Sequence, residues 1–307
     1  MDLRQLKYFT RIVEAGSLSR AAEVLYVAQP ALSKQIAQME SSLGVQLLSR
    51  SVRGMTPTEA GLAVYRSAKI ILKQIEATYS LANAAKGQVR GSVAVGLPWT
   101  LSVTLGLALL RRVNERLPGV RLELTEEPTF TLSRSLSLGK LDMALMLATD
   151  RHVGLAFKPL VRERLYLTGA KGSLAGRLEC QAKDLVDYPL LLPSRPNATR
   201  EALQKIWDAQ GVQPTILAEI NAQSIAIEAM HSGYAFSIVP ACVVSAKWQA
   251  GLLDAAVLTD PGLDRTVCLA TAVELPTTEA AERVKELILE VIADAVNEGP
   301  WEATLAA

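Results

Sequence analysis

The sequence predicts an α+β multidomain chain: a small helical N-terminal domain, one long linker helix and a larger C-terminal α/β region. Three observations predict it. Apolar residues recur at helical spacing in three short runs up to about residue 44, and a hairpin pattern follows. A much longer run of the same spacing occupies 58–85. From residue 92 onward, short apolar runs alternate with amphipathic stretches, the order of strand followed by helix. With 307 residues, 50% of them apolar, the chain can build more than one buried core.

Leu3, Leu6, Phe9, Ile12 and Val13 mark the first helix. Gly16 ends it and Ser17 caps the next, where Leu18, Ala21, Ala22 and Leu25 lie on one face. After the turn Tyr26-Val27-Ala28, a third helix opens at Gln29-Pro30, since proline is tolerated in a first turn. Its apolar stripe is Leu32, Ile36, Met39 and Leu43, with Pro30, Lys34, Ala37 and Ser41 opposite and Ser33 at the flank. Gly44 closes it. The stretches Leu47-Leu48-Ser49-Arg50 and Thr56-Pro57 then bracket Ser51-Val52-Arg53-Gly54 as a hairpin wing with two arginines. A helix with a buried stripe and a small, polar, weakly basic outer face fits a DNA major groove. On periodicity alone, a three-helix bundle with a merely solvated face fits equally well. Charge leans towards DNA: residues 1–90 carry 12 Lys and Arg against 6 Asp and Glu, and the remainder carries 20 against 25.

The ordered string decides. Phe9, Ser17-Leu18-Ser19-Arg20-Ala21-Ala22, Leu25, Gln29-Pro30-Ala31-Leu32-Ser33-Lys34-Gln35-Ile36, Met39-Glu40, Leu43-Gly44, Leu47-Leu48, Arg50, Arg53, Thr56 and Ala60-Gly61 resemble, almost without gaps, the N-terminal winged helix-turn-helix of LysR-type transcriptional regulators. The resemblance implies DNA contacts from Gln29, Pro30, Ser33 and Lys34 on the third helix and from Arg53 and Arg50 on the wing. Gln29 suits an adenine edge and Pro30 a thymine methyl. Arg50 could equally tie the wing to the helices. This chain departs from the family pattern in three places. Lys34 stands where arginine is frequent, Ala37 where a basic residue is common, and Leu48 where phenylalanine is usual.

In the long helix, Leu62, Tyr65, Ala68, Ile71, Leu72, Ile75 and Tyr79 share a face that must pack on its own domain or on a second copy. The resemblance favours pairing as a homodimer. Lys86-Gly87-Gln88-Val89-Arg90-Gly91 reads as a polar hinge. The expected domains are a reader at 1–58, a linker at 59–87, a hinge at 88–91 and an effector-binding domain at 92–307.

Within that last domain, strands are expected at 92–97, 120–126, 141–147, 190–192, 215–219 and 235–239. Helices are expected at 101–117, 132–138, 200–210, 224–231 and 278–297. Such alternation predicts a largely parallel sheet, and sheets of this kind bind ligands beyond their strands' carboxyl ends. Three polar strand ends stand out: Pro98-Trp99-Thr100-Leu101-Ser102, Pro128-Thr129 and Pro193-Ser194-Arg195-Pro196-Asn197. Helix starts there favour anions, and Arg195 could pair with a carboxylate. Gln223 and Ser224 are weaker candidates, and simple helix capping is the competing role throughout. The resemblance continues here. It implies a two-lobed α/β effector domain like that of periplasmic binding proteins, with lobe one at 92–161 and 265–307 and lobe two at 162–264. It puts Thr100, Ser102, Thr129, Ser194 and Asn197 near the cleft between the lobes. Val95-Gly96-Leu97-Pro98 and Leu192-Pro193-Ser194-Arg195-Pro196 are loosely similar to the nitrogen assimilation control subgroup.

Other classes fit poorly. The two histidines, His152 and His231, have no metal-ligand spacing, and no nucleophile elbow, phosphate loop or dinucleotide fingerprint occurs, so neither an enzyme nor a cofactor is expected. Cys180, Cys242 and Cys268 are far apart with no basic neighbours in sequence, and read as reduced thiols. No run reaches the roughly 18–20 apolar residues of a membrane span, and no signal peptide is expected at the N-terminus. The resemblance implies a cytoplasmic regulator that binds double-stranded promoter DNA and a small anionic effector. It also implies homodimers pairing into a homotetramer, contact with RNA polymerase and control of its own gene. The alternative is a regulator that needs no ligand and whose lobes serve only oligomerisation.

Overall fold

The structure, a computed structural model, describes residues 1–51, 54–84, 89–147, 153–259, 263–299 and 301–306. Helix α1 (Leu3–Ala15) is fixed at its start by a reciprocal cap. The Gln5 N–H donates to Asp2 (2.8 Å), and the Gln5 side chain accepts from the Asp2 N–H (3.1 Å). Gly16, at φ +62°, ends it, and the Ser17 hydroxyl caps α2 (Leu18–Leu25). Helix α3 (Gln29–Leu43) starts with Pro30 in its first turn and stops at Gly44. Leu32, Ile36 and Met39 are buried against Phe9, Ile12 and Leu47, whereas Leu43 is exposed. The expected stripe is therefore one turn shorter, because α3 outruns the small core beneath it. Strands β1 (Leu48–Ser51) and β2 (Gly54–Pro57) pair antiparallel as the wing. A Cβ on Gly54 would lie 2.4 Å from the Gly16 carbonyl oxygen, so the wing sits against the end of α1 only with glycine there.

Helix α4 (Glu59–Ala84) is the long helix expected over 58–85, and its buried face changes partner along its length. At its start, Tyr65 and Ala68 are buried in the N-terminal core, and the Tyr65 hydroxyl and Lys69 ammonium each donate to Glu14 at 3.1 Å. Further on, Lys73 forms a 2.6 Å ion pair with Asp142 of the C-terminal domain, and Ala77 and Ser80 are buried. Ile71 and Tyr79, expected on one stripe with Tyr65, are exposed.

The C-terminal domain runs β3 (Gly91–Leu97), α5 (Trp99–Arg116), β4 (Val120–Glu126), α6 (Thr129–Ser137), β5 (Met143–Leu147), β6 (Leu155–Ala170), β7 (Glu179–Gln181) and β8 (Leu190–Leu192). It continues with α7 (Ala198–Gln210), β9 (Ile216–Glu219), α8 (Gln223–His231), β10 (Phe236–Pro240), α9 (Ala241–Gln249), β11 (Leu253–Thr259), β12 (Asp264–Ala272), α10 (Glu279–Asn297) and β13 (Ala303–Leu305). Gly91, expected in the hinge, is the first residue of β3, and Gln88 lies outside the described residues. The strand order is β4-β3-β5-β12-β6-β10-β8-β9. The sheet is mixed, which corrects the largely parallel expectation. β3, β4 and β5 are parallel, as are β8, β9 and β10, but β12 pairs antiparallel with β5 and β6, and β6 pairs antiparallel with β10 and β11. The reason is β6, which the sequence reading missed. It serves lobe one through its pairing with β12 and lobe two through β10 and β11. The register fixes directions: the carboxyl ends of β3, β5, β8 and β10 all point to the place where β6 passes from one lobe to the other.

Candidate functional site

The outer face of α3 is open. Gln29, Pro30, Ser33, Lys34, Ala37 and Ser41 are all exposed beside the wing. The Ser19 hydroxyl of α2 donates to Gln29 Oε1 at 3.2 Å, which orients the amide through its oxygen. Ser19 was part of the recognised string but carried no expected role. Glu40 Oε1 accepts the N–H groups of Leu47 (2.8 Å) and Leu48 (3.1 Å), so α3 and the wing hold a fixed relation. Arg50 is exposed and makes no ion pair among the described residues. Arg53 lies outside the described residues. Tyr26, 95% exposed at φ +54° between α2 and α3, stands next to this face, although its sequence context marks only a turn.

The second group lies where β6 crosses between lobes. Glu163 of β6 is fully buried, and its carboxylate gathers donors from three other segments. Arg265 of β12 donates through Nε (2.7 Å) and pairs through Nη2 (2.6 Å), the Cys242 N–H at the start of α9 donates at 2.9 Å, and Trp301 Nε1 donates at 2.7 Å. Arg265 Nη2 also donates to the Thr100 hydroxyl in the first turn of α5 (3.1 Å). The Thr104 hydroxyl lies 2.8 Å from the Thr100 carbonyl and 2.9 Å from the Cys242 carbonyl, joining α5 to α9. Leu101 and Leu105 of α5 share one buried cluster with Ala241, Val243 and Val244 of α9, and half-buried Trp99 packs against it. Burial works against the Arg265 charge, but Glu163 outweighs it and holds the guanidinium above its ordinary range.

Cys242 has no basic neighbour in sequence but gains one in space, since its Sγ accepts from Arg265 Nη2 at 3.3 Å. The thiol is nevertheless pushed up by burial and then by Glu163, with Arg265 only partly offsetting them. Burial raises the Cys180 thiol to about 11 and also raises Cys268. All three stay protonated at neutral pH, the opposite of a reactive thiolate.

The other expected residues fall on the same strand ends. Ser102 follows Thr100 on α5, and Thr129 opens α6 behind β4. In the loop after β8, the Ser194 N–H donates to Asn221 (3.1 Å), Arg195 donates to Gln204 (2.9 Å), and Asn197 caps α7 by accepting from the Arg200 N–H (3.1 Å). Asn197 thus does the work of a cap. Gln223 opens α8 with no side-chain cap, and Ser224 is exposed beside it. No hydrogen bond joins the lobe-one group to the Ser194 loop among the described residues. Glu163, Arg265 and Arg200 were missed, because each takes its meaning from a partner on another strand or turn. No group of three His, Cys, Asp or Glu among the described residues could hold a metal, and no helix there is long and apolar enough to cross a membrane.

Comparison with known proteins finds two family matches along the chain. Residues 3–62 match the family described as bacterial regulatory helix-turn-helix protein, lysR family, and residues 86–293 match the LysR substrate binding domain. The chain is 33% identical over 293 residues to the nitrogen assimilation regulatory protein nac of Klebsiella aerogenes, covering 95% of each. A full-length OxyR variant from Pseudomonas aeruginosa shares the fold, with a TM-score of 0.79 at 23% identity over 100% of this chain and 99% of that one. Full-length CbnR, solved in complex with its target DNA, matches with a TM-score of 0.62 at 26% identity over 95% of this chain and 100% of that one.

Proposed function

The chain belongs to the LysR family of bacterial helix-turn-helix transcription regulators, as a DNA-binding regulator and not an enzyme, and from that premise we propose that it answers to a small anionic metabolite held between its two lobes. The observation that carries this reading is the convergence of strand carboxyl ends from both lobes on the β6 crossing, with the first turns of α5 and α9 brought together there. Ligands bind at such ends, and helix starts favour negative charge. Thr100, Ser102, Thr129, Ser194, Arg195 and Asn197 are its proposed contacts. Gln29, Pro30, Ser33, Lys34, Arg50 and Arg53 are the proposed DNA contacts.

The active form we propose is a homodimer of the 59–87 linker that pairs into a homotetramer through the lobes and places two readers on an inverted repeat. Exposed apolar residues support both contacts: Ile71, Tyr79 and Leu81 on α4, and Val103, Leu107 and Leu110 on α5 with Ile225 on α8. Contact with RNA polymerase and a cytoplasmic location complete the proposal, with reader 1–58, hinge 88–91, lobe one at 92–161 and 265–307, and lobe two at 162–264.

One observation favours a second reading, a regulator that needs no ligand. Arg265 already occupies the Thr100 hydroxyl, and the Thr104 hydroxyl bridges α5 and α9, so the lobes are fastened to each other from within. A thermal-shift screen of bacterial metabolites, repeated with promoter DNA, separates the two. The effector reading expects a metabolite that raises the melting temperature and loses that effect in Thr100→Ala and Ser194→Ala. A screen with no stabilising metabolite, alongside intact sequence-specific DNA binding, sinks it in favour of the second.

A further inference from the structure

We propose that Arg195 and Arg200, at the start of α7, form an anchor for an oxyanion with at least two charged oxygens, either a dicarboxylate or a phosphate. This rests on the reading that the effector is an anion, and it moves the main charge recognition from α5 to lobe two.

Arg200 lies in the first turn of α7 and is only 5% exposed. Its guanidinium is held 5.5 Å over the ring of Trp207, itself fully buried. Its Nη1 donates to Gln204 Oε1 at 2.8 Å, and Arg195 Nη2 donates to the same oxygen at 2.9 Å. Two cations therefore converge on one neutral acceptor. The Gln204 amide nitrogen is itself engaged with Asp208 at 2.6 Å. Among the described residues neither arginine reaches a carboxylate at ion-pair distance, and Arg200 Nε is buried with no partner.

Buried donors without partners are rare, and buried charges are normally paired. The same domain shows the usual solution at Arg265, whose buried guanidinium meets the Glu163 carboxylate directly. At Arg200 that counter-ion is lacking among the described residues. Burial and then Arg195 push the Arg200 charge down, with Glu219 and Asp208 only partly opposing them. The positive end of α7 adds to the same field. An anion bridging the two forks supplies the missing acceptors and the missing charge at once. The Ser194 N–H is spent on Asn221 and the Arg200 N–H on Asn197, so the side chains carry the recognition.

The test is titration calorimetry on the full chain with succinate and with inorganic phosphate, against chloride at matched ionic strength. We expect one of the two to bind above the chloride control, with succinate alone indicating a dicarboxylate and phosphate alone a tetrahedral anion. Arg195→Ala and Arg200→Lys should each weaken binding by about tenfold or more, because lysine lacks the planar fork, while Lys140→Ala, which removes an exposed cation of lobe one, should leave it unchanged. Arg195 is exposed, so its variant keeps the fold and decides the matter even if Arg200→Lys does not. Binding by neither probe overturns the anchor, as does equal binding in both arginine variants. If Thr100→Ala abolishes binding while the arginine variants retain it, the anchor falls and the effector reading stands.

Discussion

Gln29 is the residue on which the proposed DNA reading turns, and its geometry shows how much one side chain owes to a neighbour on another helix. The Ser19 hydroxyl fixes the amide before DNA arrives, and the carbonyl oxygen keeps a second lone pair for a base. Gln29→Ala should cut the preference for cognate over scrambled DNA by about 1–3 kcal/mol. Fluorescence anisotropy with both duplexes measures this, and an unchanged ratio removes Gln29 from the readers. Gly61 makes a different point. A Cβ there would lie 1.9 Å from the Leu47 carbonyl oxygen, so α4 approaches the wing through bare backbone. Gly61→Ala should cost about 1–3 kcal/mol in urea unfolding. Gly106→Ala, whose Cβ would meet only ordinary contact at 3.8 Å from Ser102, should be near neutral or mildly stabilising. The identity of Gly61 was legible as part of the ordered string. Its reason was not, because the carbonyl of a residue on the far side of the wing leaves no mark on local pattern.

Among the elements, α4 was read correctly as one long helix and incompletely as a surface. Spacing of three and four says that a face is buried without naming what covers it. Here the cover is α1 and then the C-terminal domain. The Lys73–Asp142 pair, with side chains 19% and 10% exposed, fastens the second half, and the other Asp142 oxygen accepts the Ala94 N–H at 2.8 Å. Burial opposes the Lys73 charge, but Asp142 and Glu76 together outweigh it and raise its pKa above the ordinary 10.5. A raised pKa means that the contribution is complete below the unfolded value and is lost only as pH climbs through the folded one. The contact should thus hold through the neutral range. Lys73→Met should speed hydrogen exchange in the second half of α4 and lower stability by about 1–3 kcal/mol. Unaltered exchange there would show that α4 is held by its apolar contacts alone. Strand β6, to which the sequence reading assigned no strand, contains Pro159, a residue that ordinarily interrupts a ladder. In the fold that proline sits where the β6–β12 register shifts between Val267 and Cys268, so the irregularity absorbs it.

At the scale of the whole molecule, two lobes meet over a buried ion pair, Glu163 with Arg265. The placing of Thr100, Ser102, Ser194 and Arg195 at or just before helix starts was legible, because helices that follow strands are visible in sequence. Glu163 and Arg265 were not, since they lie on strands far apart in the chain and each looks like an ordinary surface charge. Removing one partner leaves a buried charge alone, so Glu163→Gln or Arg265→Met should each cost about 3–5 kcal/mol. The paired change of both residues to methionine should recover much of that loss. Denaturant midpoints decide it, and single variants as stable as the parent would show the pair to be dispensable. The position of β12 has a further effect, on the order of assembly. It lies between β5 and β6 in lobe one, yet the ribosome delivers it only after all of 171–263. Lobe one must wait with two open strand edges while its insert is made, which raises contact order and invites chaperone capture during synthesis.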